Sequence, residues 1–155
     1  MIGQVPVQVT TPQGPSYPGT AVKQRLSPAF FTYQSGTTTY VAAVHLDGTL
    51  VGPAGPASRP ATPGEVIEVY GTGFGPTTPS SPTSQLVAQP APVSLPATVT
   101  IGGANAQVHW AGLVSSGLYQ LNVQIPDVAA GDQTVQTNVS GFQGVAAVFI
   151  SVTGN

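Results

Sequence analysis

Cysteine is absent from this 155-residue sequence, and charged residues make up only 5% of it, against about 25% in typical soluble domains. Without cysteine, disulfide bonds and thiolate metal sites are excluded. Three lysines and arginines and five acidic residues give a net charge of −2, so the chain has no basic patch that could neutralise phosphates. We therefore expect no nucleic-acid partner, and a polar surface built mainly from Thr, Ser, Gln and Asn.

Long apolar runs are missing as well. No stretch approaches the roughly 18 residues of a membrane span, and no polybasic or amphipathic segment indicates a membrane surface, so we expect no membrane insertion. The opening MIGQVPVQVTTPQG lacks the basic and apolar regions of a signal peptide, and Met1 is either a native start or the start of a fragment. A surface rich in Thr, Gly and Pro but poor in Lys and Glu is typical of extracellular bacterial proteins, which predicts an extracellular or cell-surface location.

Helix signals are nearly absent, because 16 prolines and 19 glycines punctuate the sequence too often for long helices. Alternating segments rich in β-branched residues predict about eight or nine short strands instead. Hairpins are expected around GGAN at 102–105 and around Asp47-Gly48, a dipeptide favoured where both turn residues need positive φ. The pattern favours an all-β, antiparallel sandwich of immunoglobulin-like type.

Three further segments complete the predicted path of the chain. Residues 76–96 hold six prolines and are too long for an ordinary connection, so they form a surface excursion or an edge segment along the sheet. Residues 117–126, GLYQLNVQIP, alternate as a half-buried strand does, and residues 145–152, VAAVFISV, are predicted to be the last strand. Trp110, the only tryptophan, is expected in the core, which leaves His109 exposed or at an edge.

The stretch VYGTGFGPTTP, residues 69–79, raises the question of a phosphate-binding loop. A dinucleotide fingerprint reads GxGxxG, opens a helix and is completed by an acidic residue about 20 positions later. Here the spacing is GxGxG, and the prolines that follow prevent a helix from starting, so the anion site of a helix N-terminus is missing. The glycines instead predict a strand that bends or bulges, with Phe74 turned inward.

The same stretch carries a family resemblance. GEVIEVYGTGFGP looks like the opening strand and glycine bend of IPT/TIG immunoglobulin-like domains. More closely, three blocks between roughly Ser27 and Val152 resemble an uncharacterised C-terminal domain of secreted acidobacterial proteins. They are AAVHLDGTLVGP with PATPGEVIEVYGTGFGPT, VTIGGANAQVHWAGLVSSGLYQLNVQIP, and GDQTVQTNVSGFQGVAAVFISV. The resemblance implies an immunoglobulin-like fold, and no catalytic residues are established for the family.

The resemblance also implies an arrangement of domains. In that family the domain commonly ends a longer chain, after other immunoglobulin-like domains or propeller repeats. GQVPVQVTTPQG resembles the last strand of such a preceding domain, so residues 1–20 are predicted to be a terminal strand and linker, and residues 21–155 the immunoglobulin-like domain. The expected partners are adjacent domains of the longer chain or a surface polymer.

A candidate metal site centres on His45-Leu46-Asp47. Strand alternation puts His45 and Asp47 on one face, and Glu65, Glu68 or His109 from a neighbouring strand could complete a site for a divalent metal such as zinc or calcium and its bound water. The competing interpretation is structural, because Asp47 occupies a turn position that favours Asp for local hydrogen bonding. His45 would then be an ordinary strand residue, and this second interpretation is favoured.

Asp127 and Asp132 form a weaker alternative site. They bracket a turn and could bind calcium together with backbone carbonyls. Turn chemistry explains both residues more simply. No cofactor is therefore expected, with a divalent metal at one of these sites as the alternative.

Three functions are compatible with these features. A non-catalytic binding or structural module at the C-terminus of a larger secreted or surface protein is favoured by the resemblance, the low charge and the lack of a catalytic constellation. The alternative is a small metal-dependent hydrolase of esters or lactones, for example acyl-homoserine lactones, that uses His45, Asp47 and His109. A carbohydrate-binding module is the second alternative, and it needs exposed aromatic side chains. Its candidates are Tyr17, Tyr33, Tyr40 and Phe142.

Overall fold

A computed structural model describes residues 3–81, 85–144 and 148–154 of the chain. Within these ranges the backbone forms strands, turns and irregular segments but no helix, so the all-β prediction is confirmed. It follows that no helix in these ranges is long and apolar enough to cross a membrane. Met1, residues 82–84 of the proline-rich segment and residues 145–147 of the predicted last strand lie outside the described residues.

The strands are short, and most are separated by turns or bends. In chain order they are β1 (Gly3–Val7), β2 (Thr10–Thr11), β3 (Gly14–Pro15), β4 (Gly19–Lys23), β5 (Ala29–Phe30), β6 (Thr32–Ser35), β7 (Thr38–Val41), β8 (Ala43–His45), β9 (Leu50–Val51), β10 (Ser58–Arg59), β11 (Val66–Thr72), β12 (Ala91–Pro92), β13 (Ala97–Ile101), β14 (Ala104–Ser115), β15 (Leu118–Gln124), β16 (Gly131–Val139), β17 (Phe142–Gln143) and β18 (Val148–Val152).

Fourteen of these strands form one curled sheet that resembles a half-barrel. Its order is β10-β9-β8-β11-β15-β14-β13-β16-β18-β7-β6, and β5, β12 and β17 attach to β11, β14 and β16 respectively. Neighbouring strands are antiparallel except for the parallel pairs β9–β10 and β7–β18. The sheet is therefore mixed but rich in antiparallel pairs, as expected where short turns join consecutive strands.

The longest strand, β14, joins two parts of this sheet, one that runs from β10 to β15 and one that runs from β13 to β6. Its first residues pair with β13 and the remainder pairs with β15, with register shifts between Val108 and Trp110 and between Leu113 and Ser115. Such bulges bend a strand and increase its twist, which lets the sheet curl around a single core. Both parts of the sheet contribute to one apolar cluster. Its members include Ile67, Val69, Leu121, Val123, Val135, Val139 and Ile150.

Both predicted hairpins are present, but their turns differ. Gly102 and Gly103 have φ of 57° and 80° and form the two-residue turn between β13 and β14. In the hairpin that joins β8 to β9, Gly48 has φ 83° but Asp47 has no positive φ, so the expectation that both residues adopt it is wrong. The Asp47 carboxylate instead accepts a hydrogen bond from the backbone N–H of Thr49, which stabilises the turn locally.

The glycine stretch at 69–79 is the end of β11 followed by a bend, as predicted. Phe74 is completely buried, and its ring lies between those of Phe30 and Tyr119 at centroid distances of 5.9 and 5.7 Å. Gly73 has φ 76°, and a Cβ there would overlap the carbonyl oxygen of Ser27. Only glycine therefore lets the segment before β5 pass so close to the bend.

The proline-rich segment runs along the edge of the sheet in its described part. Its short strand β12 pairs with β14, where Ala91 lies opposite Leu113, and Thr77 forms an isolated bridge with Val93. The prediction of an edge segment is confirmed for these residues.

The N-terminal segment forms a ribbon whose pairing is separate from the main sheet. β1 pairs with β4, from Gly3 opposite Lys23 to Val7 opposite Gly19, and β2 pairs with β3. Every residue of β4 is exposed. The ribbon runs through Lys23, and the predicted division between residues 1–20 and 21–155 stays a prediction.

Candidate functional site

The predicted site around His45 is a cluster of four polar side chains. The β8–β9 hairpin supplies His45 and Asp47, the parallel strand β10 supplies Arg59, and Glu65 directly precedes β11. We refer to these four residues as the His45 cluster. His45 Nδ1 lies 2.7 Å from Glu65 Oε1. The Arg59 guanidinium lies 3.3 Å from both the Glu65 and the Asp47 carboxylates.

His45 is buried with both of its ring nitrogens occupied. Its side chain is 0% exposed, and Nε2 lies 3.1 Å from the backbone carbonyl oxygen of Arg59. A carbonyl can only accept, so Nε2 donates this bond. Nδ1 lies within hydrogen-bond distance of the Glu65 carboxylate. Both ring nitrogens are therefore engaged by oxygen atoms of the protein, and neither is left free to bind a metal.

The surroundings of Glu65 favour its ionised form. Burial alone raises the pKa of this carboxyl, but several interactions outweigh burial and lower the pKa below its usual value. They are the hydrogen bond from the Thr62 backbone N–H at 3.0 Å, the hydrogen bond and charge of His45, and the charge of Arg59. The His45 cluster is therefore a polar network in which His45 and Arg59 contact two carboxylates, and it ties the loop at residues 52–64 to the β8–β9 hairpin.

Asp47 forms the exposed end of this network. The backbone N–H of Thr49 and, after it, Arg59 lower the pKa of the Asp47 carboxyl to about 2. Arg59 is the one member of the cluster that the sequence did not single out. Its only signal was that it is the sole charged residue between Asp47 and Glu65, inside a loop rich in Pro and Gly.

Glu68 does not join the cluster. The β11–β8 register sets Ile67 opposite His45 and Glu68 opposite Val44. Because successive side chains of a strand point to opposite faces, Glu68 and His45 lie on different sides of the sheet. The Glu68 carboxylate instead accepts a hydrogen bond from the Tyr70 hydroxyl at 2.9 Å.

The remaining predicted metal ligands are also engaged elsewhere. His109 is exposed, as expected, with Nε2 3.3 Å from Gln124 Oε1. Asp132 accepts a hydrogen bond from the Tyr40 hydroxyl at 2.8 Å, whereas Asp127 lines a separate surface depression of about 480 Å³. Across the described part of the chain, no group of three or more His, Asp or Glu side chains could hold a metal ion. The zinc and calcium alternatives stay predictions.

The four aromatic candidates for carbohydrate binding divide into two pairs. Tyr40 is 4% exposed and stacks on Tyr33 at a centroid distance of 5.7 Å, and the Tyr33 hydroxyl donates to the Val51 carbonyl at 2.8 Å. These two rings are part of the packing. Tyr17 is 98% exposed beside the ribbon, and Phe142 is 45% exposed on β17.

Trp110 lies on the outer side of the sheet, so the prediction that it fills the core is wrong. A bulge adds one residue to β14, with the result that Val108 pairs with Val123 whereas Trp110 pairs with Asn122. Val123 points into the core, so its neighbour Asn122 and the paired Trp110 point outward. The Trp110 ring is half-buried and covers Gly112, where a Cβ would overlap the ring.

Trp110 belongs to a group of five half-buried side chains that the sequence did not predict. One row crosses the sheet from Trp110 on β14 to Asn122 on β15 and Glu68 on β11. In the adjacent row, Gln120 on β15 lies opposite Tyr70 on β11. Gln120 Nε2 donates to Asn122 Oδ1 at 2.8 Å and thereby links the two rows. We refer to these five side chains as the outer face.

Comparisons of this chain with protein-family models, with curated proteins and with solved structures found no match.

Proposed function

We propose that this chain is a non-catalytic binding or structural module of an extracellular or cell-surface protein. In this proposal it has an immunoglobulin-like β-sandwich fold of the IPT/TIG kind and ends a longer chain, as its resemblance to the acidobacterial C-terminal domain implies. Its partners are then the adjacent domains of that chain or a surface polymer.

The observation that carries this proposal is the state of His45. The hydrolase alternative needs a neutral imidazole that binds a metal, because the metal supplies the activated water. In the His45 cluster both ring nitrogens lie within hydrogen-bond distance of oxygen atoms of the protein, and the ring has no exposed surface. His45 would have to break both bonds to bind a metal, and the Arg59 carbonyl and the Glu65 carboxylate would each lose a donor. The arrangement favours a residue that holds the fold together.

The sandwich part of the proposal is supported by how the strands share the core. β11 and β15 on one part of the curled sheet, and β16 and β18 on the other, contribute side chains to the same apolar cluster. The strands of four residues or more in this sheet, counted over the described ranges, agree with the number expected for such a domain. They are β6, β7, β11, β13, β14, β15, β16 and β18.

A hydrolysis screen tests the non-catalytic part of the proposal. The purified protein is incubated with nitrophenyl esters and with acyl-homoserine lactones, with and without a chelator, and its metal content is measured by elemental analysis. We expect no turnover above buffer and no stoichiometric zinc or calcium.

Two variants make this screen decisive. Asp47→Asn removes a carboxylate ligand but tolerates the same turn geometry, and His45→Ala removes the imidazole. Chelator-sensitive hydrolysis that both variants abolish would contradict the proposal and establish the metal-dependent alternative. Turnover that survives both variants would equally contradict a non-catalytic role, with a different active site.

A further inference from the structure

The five side chains of the outer face combine two kinds of recognition chemistry. Trp110 and Tyr70 provide aromatic surface, Gln120 and Asn122 provide hydrogen-bonding groups on the strand between them, and Glu68 provides a carboxylate on the same strand as Tyr70. By strand spacing, the row from Trp110 to Glu68 spans about 10 Å between its terminal Cα atoms. From this arrangement we infer that the outer face is a binding site for a neutral polysaccharide.

The charge distribution decides against an ionic ligand. The chain has three cationic side chains in all. Arg59 belongs to the His45 cluster, Lys23 ends β4 of the ribbon, and Arg25 is exposed just after it. The outer face holds only the Glu68 carboxylate, so it lacks the cations that bind phosphates, sulfates or uronic acids. An anionic ligand is therefore disfavoured, and the single Glu68 carboxylate, which already accepts a hydrogen bond from Tyr70, does not form a cation site by itself.

The hydrogen-bonding groups decide against an apolar ligand. An apolar partner would bury the polar atoms of Glu68, Gln120 and Asn122 without giving them new hydrogen bonds, which is costly. Hydroxyl groups both donate and accept, and so do side-chain amides. The bond between Gln120 and Asn122 uses one donor and one acceptor, which leaves the Gln120 carbonyl oxygen and the Asn122 NH₂ group for a ligand. The hydroxyl groups of a sugar chain can donate to the Gln120 carbonyl oxygen and accept from the Asn122 NH₂ group.

Tyr70 positions the Glu68 carboxylate on the outer face. Burial first, and then the hydrogen bond to Glu68 and its charge, raise the pKa of the Tyr70 hydroxyl. The hydroxyl therefore keeps its proton and donates to Glu68 Oε2, which holds the carboxylate in place. The other Glu68 oxygen is an acceptor for a sugar hydroxyl.

Trp110 provides the platform for a sugar ring. The apolar C–H face of a pyranose packs against an aromatic ring, and tryptophan offers the largest such surface. Gly112 is what allows the Trp110 ring to settle on the sheet, because any Cβ at that position would overlap it. The row from Trp110 to Glu68 crosses three strands and is wider than one pyranose ring, so the face fits a segment of a polymer better than a single sugar.

Because Trp110 is the only tryptophan, its fluorescence reports directly on this site. The full chain is titrated with neutral hexasaccharides of glucose, mannose, xylose, galactose and N-acetylglucosamine, and with an oligogalacturonate as the anionic comparison. We expect a saturable change in emission with at least one neutral hexasaccharide, and binding at least about tenfold weaker for the matching monosaccharide and for the oligogalacturonate.

Variants then assign the binding to the outer face. Asn122→Ala and Trp110→Ala should each weaken binding of the same hexasaccharide at least about tenfold by calorimetry, whereas Tyr17→Ala should leave it unchanged. Tyr17 is the matched control, since it is a 98% exposed aromatic residue in the N-terminal ribbon, whose strands pair separately from the main sheet. Circular dichroism and thermal unfolding show that each variant is folded, and Trp110→Phe provides a milder change of the same platform.

Three results would overturn the inference. They are no binding of any neutral hexasaccharide, monosaccharide binding as tight as that of the hexasaccharide, and binding that survives Trp110→Ala and Asn122→Ala. The inference rests on the proposed role as a binding module, but the two fail separately. Loss of saccharide binding leaves a non-catalytic structural module, whereas chelator-sensitive hydrolysis overturns the module itself without touching the outer face.

Discussion

The His45 cluster and the outer face belong to the same sheet and use their polar groups in opposite ways. In the cluster, each ring nitrogen of His45 is hydrogen-bonded to an oxygen of the protein. On the outer face, the bond between Gln120 and Asn122 leaves one acceptor and one donor unused. Polar groups that satisfy one another hold a fold together, whereas groups that keep spare donors and acceptors are able to bind a ligand.

This difference changes which residues count as functional candidates. A histidine next to an aspartate attracts attention in a sequence because both residue types bind metals and transfer protons. Here they belong to a network that includes Arg59 and is closed on itself. The outer face has no catalytic motif, and its residues become a candidate site only because the strand register places them side by side.

The largest loss of stability should come from a substitution in the apolar core. Phe74→Ala removes a completely buried ring that lies between Phe30 and Tyr119. We expect the free energy of unfolding to fall by about 3–5 kcal/mol, measured by chemical denaturation. The control is Phe142→Ala, where the side chain is 45% exposed and the loss should stay below about 1 kcal/mol. Similar losses of unfolding free energy for the two variants would mean that the Phe74 ring is not part of the packed core.

Disrupting the His45 cluster should lower the free energy of unfolding less than removing the Phe74 ring from the core does. His45→Ala removes two hydrogen bonds and leaves the Arg59 carbonyl and the Glu65 carboxylate without their donor. We expect a loss of about 2–3 kcal/mol in the free energy of unfolding. Asp47→Asn serves as the control, because the exposed Asp47 contributes only the outer end of the network, and its denaturation midpoint should stay close to that of the unmodified chain. An unchanged midpoint for His45→Ala would contradict a structural role for the cluster.

Local patterns predicted much of this architecture from the sequence. The glycine bend, the inward Phe74, both hairpins and the alternation of β15 follow from steric demands and periodicity within a few residues. Trp110 was assigned to the wrong face because the bulge in β14 shifts the alternation by one residue, and its sequence carries no strong signal for a bulge. Arg59 was missed because only the parallel pairing of β9 with β10 brings it to His45. Both errors concern pairing between strands, which short sequence windows do not contain.

Acid should weaken the stabilising contribution of the His45 cluster, and this change should be smaller than the losses expected for Phe74→Ala and His45→Ala. The pKa of Glu65 is lower in the folded chain than its usual value of about 4.3. Its contribution to stability is therefore complete above that value and is lost as the pH falls through the lower, folded-state pKa.

The measurement is the difference in unfolding free energy between the unmodified chain and Glu65→Gln, from about pH 7 down to about pH 2. The difference should be constant near neutral pH and shrink in acid. Asp47→Asn is the companion variant, and its smaller difference should persist to more acidic conditions, because the pKa of Asp47 is lowered to about 2. A Glu65→Gln difference that does not change with pH would show that the carboxylate charge contributes nothing to the network.

Trp110→Ala should lower stability less than Phe74→Ala or His45→Ala does, but it should weaken ligand binding more than either. The ring is half-buried over Gly112 rather than packed in the core. We expect a loss of about 1–2 kcal/mol in the free energy of unfolding, below that of Phe74→Ala under the same conditions. A loss equal to that of Phe74→Ala would place Trp110 among the core residues and remove the platform of the outer face.

The distinction between the two regions is tested most directly by nuclear magnetic resonance during a saccharide titration. The isotope-labelled chain is titrated with the neutral hexasaccharide that produces the strongest fluorescence change. We expect the Trp110 indole N–H and the side-chain amides of Gln120 and Asn122 to shift the most, while the ring signals of His45 stay in place. Shifts that centre on His45, or that spread along the ribbon without touching Trp110, would contradict it.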